Sequence, residues 1–392
     1  MQRYSKRVLS LSESATIAVS TLARELRAQG RDILSFSAGE PDFDTPQIIK
    51  DEAIRALNTG FTKYTSVAGI PELLQAISTK LKRDNNLNYE PSEIIVSNGA
   101  KHSLFNVFQA LIDEGDEVLI PSPYWVTYPE LITYSGGKPV VVHTLEEYGF
   151  KARGLDFERA ITPKTKAIVL TSPSNPTGMV YSREDLESVA EVANKYDLWV
   201  ISDEMYEKLV YEGEFCSIGA LSEEMLHRTI TVNGLSKSVA MTGWRMGYVA
   251  TKDKDLVKLM NNLQSQCTSN INSITQRAAI PALDGSADFD INQMREAFKE
   301  RRDLACELIE NIPGISVVKP DGAFYLFINI QSVQGFDGNS LAFCKSLLEK
   351  SGVALVPGSA FGMDGFVRMS FACDTEQIKK GLERLGDFVR GS

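Results

Sequence analysis

Two cations stand eight residues apart near the middle of this chain: Lys237 in Asn233-Gly-Leu-Ser-Lys237, and Arg245 in Thr242-Gly-Trp-Arg-Met-Gly-Tyr248. An amine held in a tight turn of small residues can condense with a carbonyl compound to an imine. A guanidinium beside it can hold a phosphate. Alone, either residue is ordinary solvated surface. The pair gains meaning only if the chain supplies acids, hydroxyls and backbone amides around it.

Several polar residues stand where short apolar runs end. Trp199-Val-Ile-Ser leads directly into Asp203-Glu-Met-Tyr206. A carboxylate closing a buried strand is costly without a cationic or protonated partner. The ring nitrogen of pyridoxal phosphate is one such partner; a helix N-cap is the other use of an aspartate at that place. Ala167-Ile-Val-Leu leads into Thr171-Ser-Pro-Ser-Asn-Pro-Thr-Gly178, which reads equally as a plain turn or as a loop presenting Asn175. Ile94-Ile-Val-Ser leads into Asn98-Gly-Ala-Lys-His102 and a helical stretch. Small residues before a helix leave free amides that bind an anion, although many strand-to-helix turns look the same.

The elements that must position these residues follow a simple rhythm. Seven short runs (at 94–97, 117–120, 140–142, 167–170, 199–202, 229–232 and 247–250) are mostly continuous in apolar residues, the pattern of strands buried on both faces of a mainly parallel sheet. Helical periodicity lies between several of them, as in the stretch 184–193. The fold class is therefore α/β with a mainly parallel seven-stranded sheet. After about residue 285 the texture changes to a charged helix (292–310), strands at 315–318 and 324–328, a further helix, and strand candidates at 353–356 and 366–371. This predicts a smaller α+β domain at 286–392 that residues 1–45 join, with a large domain at 46–285.

Bulk properties narrow the function classes. The 392 residues exceed one ordinary domain, and 43% hydrophobic with 23% charged residues is a globular composition. A net charge of −10 leaves no electrostatic footprint for nucleic acid or an anionic membrane. The five cysteines are scattered, without a C-x-x-C pair, and the three histidines have no ligand spacing, so neither a disulfide frame nor a zinc site is expected. No signal peptide or membrane-spanning run is present, which makes the cytoplasm the expected compartment.

Taken together, Asp203 with Tyr206, Ser172-Pro-Ser-Asn-Pro-Thr-Gly178, Ser236-Lys237 and Arg245 resemble the class I aminotransferases of the aspartate aminotransferase fold, fold type I among pyridoxal phosphate-dependent transferases. The likeness runs from Ser37-Ala-Gly-Glu-Pro-Asp-Phe43 to Val367-Arg-Met-Ser370. Within the family the chain is most similar to the bacterial and plant-type branch, to which Ser122-Pro-Tyr-Trp125-Val also belongs.

The resemblance implies a role for each matching residue. Lys237 would hold pyridoxal 5'-phosphate as an imine and then act as general base. Asp203 would pair with the ring nitrogen, and Tyr206 and Asn175 with the ring's phenolic oxygen. Trp125 would stack on the ring. Arg245, Ser236 and the turn formed by Gly99, Ala100 and Lys101 would hold the phosphate, with Tyr64 reaching the phosphate of a neighbouring subunit in a homodimer. Arg368 and Gly39 would receive the substrate α-carboxylate, and Trp125 and Asn175 would border the substrate too. Lys101, helped by Thr16 and Ser14, would take the distal carboxylate of a dicarboxylic amino acid, because residues 263–276 lack the arginine that the animal branch lends across its dimer.

The implied activity is ping-pong transamination of aspartate with 2-oxoglutarate. Aromatic, alanine and prephenate aminotransferases share the same cradle and remain alternatives; relatives acting on prephenate carry a basic residue where this chain has Ser12. A cofactor-sensing regulator is the alternative of another class, but the chain is acidic and shows no basic DNA-binding segment.

Overall fold

The computed structural model describes residues 3–391, so the two ends of the chain, which belong to the predicted 1–45 and 286–392 units, lie outside it. The strands in chain order are β1 (Leu34–Ser35), β2 (Ile94–Asn98), β3 (Glu117–Ser122), β4 (Lys138–His143), β5 (Thr165–Thr171), β6 (Trp199–Asp203), β7 (Thr229–Gly234), β8 (Met246–Ala250), β9 (Ser316–Val317), β10 (Tyr325–Asn329), β11 (Val353–Ala354), β12 (Val356–Pro357) and β13 (Phe366–Ser370).

The runs β2 to β8 build a seven-stranded sheet in the order β2-β8-β7-β6-β5-β3-β4. Every neighbouring pair is parallel except those made by β8, which runs antiparallel to both β2 and β7. Alternate residues of one strand enter different cores: Ala167 and Val169 join one, while Ile168 and Leu170 join another. Burial on both faces is the physical reason these runs read as continuous rather than alternating.

A second sheet, in the order β12-β13-β10-β9, is antiparallel throughout. β13 lies at its centre, with Arg368 in register with Phe327 on one side and Val356 on the other. The long helix spans Asp288–Glu310, a turn earlier than its periodicity predicted. The run 353–356, expected as one strand, divides instead. Val353–Ala354 pairs in parallel with β1, and Val356–Pro357 joins β13. The two pairings part at Leu355, so a single apolar run serves two sheets.

Backbone hydrogen bonds tie the second sheet to the segments beside it. The amide of Ser370 donates to the carbonyl of Phe36 (2.8 Å), laying residues 36–39 beside Arg368. The segment 320–323 is tied to the first sheet's loops: Gly322 N donates to Gly178 O and Ala323 N to Leu209 O, both at 2.8 Å.

Candidate active site

The sheet's topology gathers the chemistry at one edge. The carboxyl ends of β2, β3, β5, β6 and β7 and the start of the antiparallel β8 lie side by side, the place where open α/β sheets bind ligands. From these ends come the Gly99 turn, Trp125, Asn175, Asp203, Ser236-Lys237 and Arg245 respectively. They border a cavity of about 630 Å³ that Arg368, Gly39, Thr16, Ser14 and Lys101 also line. Of the residues read from the sequence as chemistry, Tyr64 is the one left far out, 90% exposed on the surface.

The phosphate end is a cradle with no room to spare. Gly99 has φ +81°, and a Cβ there would lie 2.5 Å from the guanidinium of Arg245. A Cβ on Gly247 would lie 2.2 Å from the amide nitrogen of Ala100. β8 is thus pressed against the start of the helix Ala100–Leu111, whose N-terminus has no side-chain cap. Arg245 itself has a left-handed backbone (φ 58°) and anchors one guanidinium nitrogen on the carbonyl of Thr242 at 2.9 Å. Uncapped amides, a helix dipole and a guanidinium converge where a phosphate fits.

Deeper in the cavity, Lys237 donates to the carbonyl of Gly39 and has no carboxylate in hydrogen-bond contact among the described residues. Burial pulls its pKa down to about 8, with Arg368 and Arg245 adding to the fall and Glu40 and Asp203 opposing it. Asp203 is 5% exposed. Burial lifts its pKa to about 6 against the opposing pull of the Tyr128 hydroxyl, the Met205 amide and Lys237. Asp203 Oδ1 accepts from that amide at 3.3 Å in a local turn, and no helix begins there. A buried, under-neutralised carboxylate is suited to a cationic ring nitrogen, so the residues present fit the cofactor at this end as well.

Arg368 is 2% exposed and has no carboxylate partner among the described residues. It donates to Asn175 Oδ1 (2.9 Å) and to the carbonyl of Ser37 (2.8 Å), and its Nε has no hydrogen-bond partner among the described residues. Its guanidinium stacks 4.4 Å from the ring centroid of Tyr325. Burial lowers its pKa, although it remains a cation. Lys101 Nζ lies 5.0 Å from the Trp125 ring centroid, and burial together with nearby Arg245 lowers its pKa. The lining holds five basic side chains (Arg24, Lys101, Lys237, Arg245, Arg368) against two acidic ones (Glu40, Asp203). A cationic cavity in an acidic protein selects anions.

Sequence reading missed two residues here. Tyr128 donates to Asp203 Oδ2 (2.7 Å) and lies 2.6 Å from Thr171 Oγ1, fixing the carboxylate from the side. Tyr325 shares a 2.8 Å hydroxyl–hydroxyl bond with Tyr206. Tyr325 sits inside the apolar run of β10, whose only signal was that of a strand, and Tyr128 carried no signal at all.

With this geometry in hand, comparison with known proteins is direct. The family model "Aminotransferase class I and II" matches residues 31–385. The aspartate aminotransferase of Geobacillus stearothermophilus is 48% identical over 390 residues, covering 99% of each chain. The aspartate/prephenate aminotransferase of Thermus thermophilus is 46% identical over 98% of each chain. The structure of the Thermus thermophilus aspartate aminotransferase with maleate superposes with a TM-score of 0.95 at 45% identity, over 99% of this chain and 100% of that one.

Proposed function

The chain belongs to the class I and II aminotransferases, which use pyridoxal phosphate, and from that membership we propose that it transfers the amino group of L-aspartate to 2-oxoglutarate in a ping-pong cycle that releases oxaloacetate and L-glutamate. The observation that carries this reading is a pair of cations, Arg368 and Lys101, that line one cavity without a carboxylate partner among the described residues. Two such cations match the two carboxylates of a dicarboxylic amino acid.

Bound pyridoxal phosphate supplies an electrophilic carbonyl carbon and a cationic ring that accepts the electron pair left when a substrate C–H or C–N bond changes. Everything else falls to the chain. Arg245, Ser236 and the amides of Gly99, Ala100 and Lys101 hold the phosphate. Trp125 covers the ring face. Asp203, held by Tyr128, keeps the ring nitrogen protonated; Tyr206 and Asn175 hold the phenolic oxygen. Arg368 grips the α-carboxylate against the Gly39 backbone, a planar fork on a planar anion. Its bond to Asn175 ties carboxylate binding to the phenolic-oxygen site. Lys101, with Thr16 and Ser14, receives the distal carboxylate.

Burial holds the Lys237 amine below the ordinary lysine range, which suits it to serve as a base. It would move a proton between the substrate α-carbon and the cofactor's C4′ carbon, help typically worth about 10²–10⁴-fold. Ser12 stands uncharged where relatives acting on prephenate carry a basic residue, and this difference supports aspartate over prephenate.

The working unit is a homodimer in which Tyr64 completes the partner's phosphate site, and the compartment is the cytoplasm. Among the described residues no helix is long and apolar enough to cross a membrane. Residues 1–45 and 286–392 form the smaller domain around 46–285, a division supported by the pairing of β1 with β11.

Single-turnover spectra test the substrate assignment. Aspartate should convert the cofactor's absorption faster than phenylalanine or alanine does. If phenylalanine is faster, the assignment fails. A Lys237→Ala protein that still forms a lysine-type absorption band would overturn the role of that residue.

A further inference from the structure

A second cluster of buried ionisable groups lies behind the cavity, and none of its members lines it. Lys80 and Asn85, from the helix Pro71–Asn85, meet Glu204 and Glu207 from the turn after β6. All four are buried, none more than 9% exposed. Lys80 Nζ pairs with Glu207 and donates to Asn85 Oδ1 at 2.7 Å. The Asn85 amide donates to the second oxygen of Glu207 and reaches Glu204 at 3.4 Å. Glu204 also accepts from Ser202 (3.0 Å) and Ser217 (2.5 Å), and burial lifts its pKa to about 7. Just beyond, Asp84 and Lys208 form a second ion pair between the same helix and the same turn, at 2.7 Å.

The turn interleaves two sets of side chains. Asp203 and Tyr206 line the cavity, while Glu204 and Glu207 face the helix. The backbone is closed on itself by Glu207 N to Glu204 O (3.1 Å) and Leu209 N to Tyr206 O (2.8 Å). Rotating or sliding the turn would therefore move both cavity-facing groups together.

Apolar side chains of similar size would stabilise this joint as well or better, because a buried ion pair recovers little of its desolvation cost. Directional bonds supply something apolar packing lacks, a single orientation. We propose that Lys80 is a positioning residue, which through Glu207 and Asn85 sets the aim of Asp203 and Tyr206 at the cofactor. The proposal rests on the cofactor roles of those two residues given above.

The test compares Lys80→Met and the charge-free pair Lys80→Met with Glu207→Met. The pair removes the unpaired buried carboxylate that could unfold the single variant. The readouts are thermal unfolding of the cofactor-free protein, cofactor retention on dilution, and the pH midpoint of the bound cofactor's near-visible absorption. The double variant should unfold within a few degrees of the wild type. Its midpoint should rise by about half a unit or more and its retention fall about tenfold, as when an outer-shell partner is lost from a bound group. A folded double variant with the wild-type midpoint and retention overturns the proposal, because the cluster is then only structural. Tyr206→Phe separates the levels: if it leaves the midpoint unmoved, the role given to Tyr206 fails first and the Lys80 proposal falls with it.

Discussion

At the scale of single residues, the site is assembled at the expense of stability. Lys237 has its pKa depressed to about 8 from an ordinary 10.5, so the unfolded chain holds a proton that the folded one releases between those values. Stability rises with pH wherever the unfolded state binds more protons. The penalty is thus complete below about pH 8 and is relieved as pH climbs from there towards 10.5. Lys237→Met should accordingly stabilise the cofactor-free protein at pH 7 by about 1–3 kcal/mol, with the gain shrinking above pH 8. Urea titrations of both proteins at pH 7 and pH 9.5 measure this; an equal difference at the two pH values would refute it. Arg368→Lys addresses the other buried cation. Lysine cannot span Asn175, the Ser37 carbonyl and a carboxylate from one plane, nor stack on Tyr325 in the same way. Losing one charge-assisted bond costs about 1.5–3 kcal/mol, which predicts a kcat/KM for aspartate lower by about 10- to 100-fold, read from steady-state kinetics.

At the scale of elements, the close contact between β8 and the start of the Ala100 helix is the joint on which phosphate binding depends. A Cβ at Gly247 would meet the Ala100 amide nitrogen at 2.2 Å and the Gly99 carbonyl carbon at 2.4 Å, backbone atoms that have no rotamer to yield. Gly247→Ala should push the helix terminus off the strand, cost about 1–3 kcal/mol of stability and weaken cofactor retention more than tenfold. Thermal unfolding with and without cofactor would show it; unchanged retention would mean that the joint is looser than its geometry. These strands were legible in the sequence because burial on both faces leaves uninterrupted apolar runs, and Lys237, Asp203 and Arg245 were legible because their chemistry stands at strand ends. The contacts of Tyr128 with Asp203, of Tyr325 with Tyr206 and of Lys80 with Glu207 were not. They join residues 75, 119 and 127 positions apart, and one sequence carries no record of which distant side chains meet. The division of 353–356 between two sheets escaped for a related reason: continuous apolarity says that a run is buried, not against what.

At the scale of the whole molecule, the remaining question is what Tyr64 does at 90% exposure, outside the lining of its own chain's cavity. Ile54 and Leu57, three residues apart on one face of the helix Gln47–Asn58, are also exposed, each at 52%. Apolar side chains grouped on one helix mark a surface that another chain covers. If a second copy covers it and Tyr64 enters the partner's phosphate site, each site draws Lys237 from one subunit and Tyr64 from the other. Mixed dimers expose that arrangement. Tyr64→Ala alone should weaken cofactor retention, and Lys237→Ala alone should be inactive. A subunit carrying Tyr64→Ala paired with one carrying Lys237→Ala would contain one site with both residues intact. Refolding Tyr64→Ala protein with an excess of Lys237→Ala protein should therefore restore retention at the surviving lysines to nearly the wild-type level. Sites built within single subunits would show no rescue at any ratio, so a flat response across the mixing series would rule out the shared site.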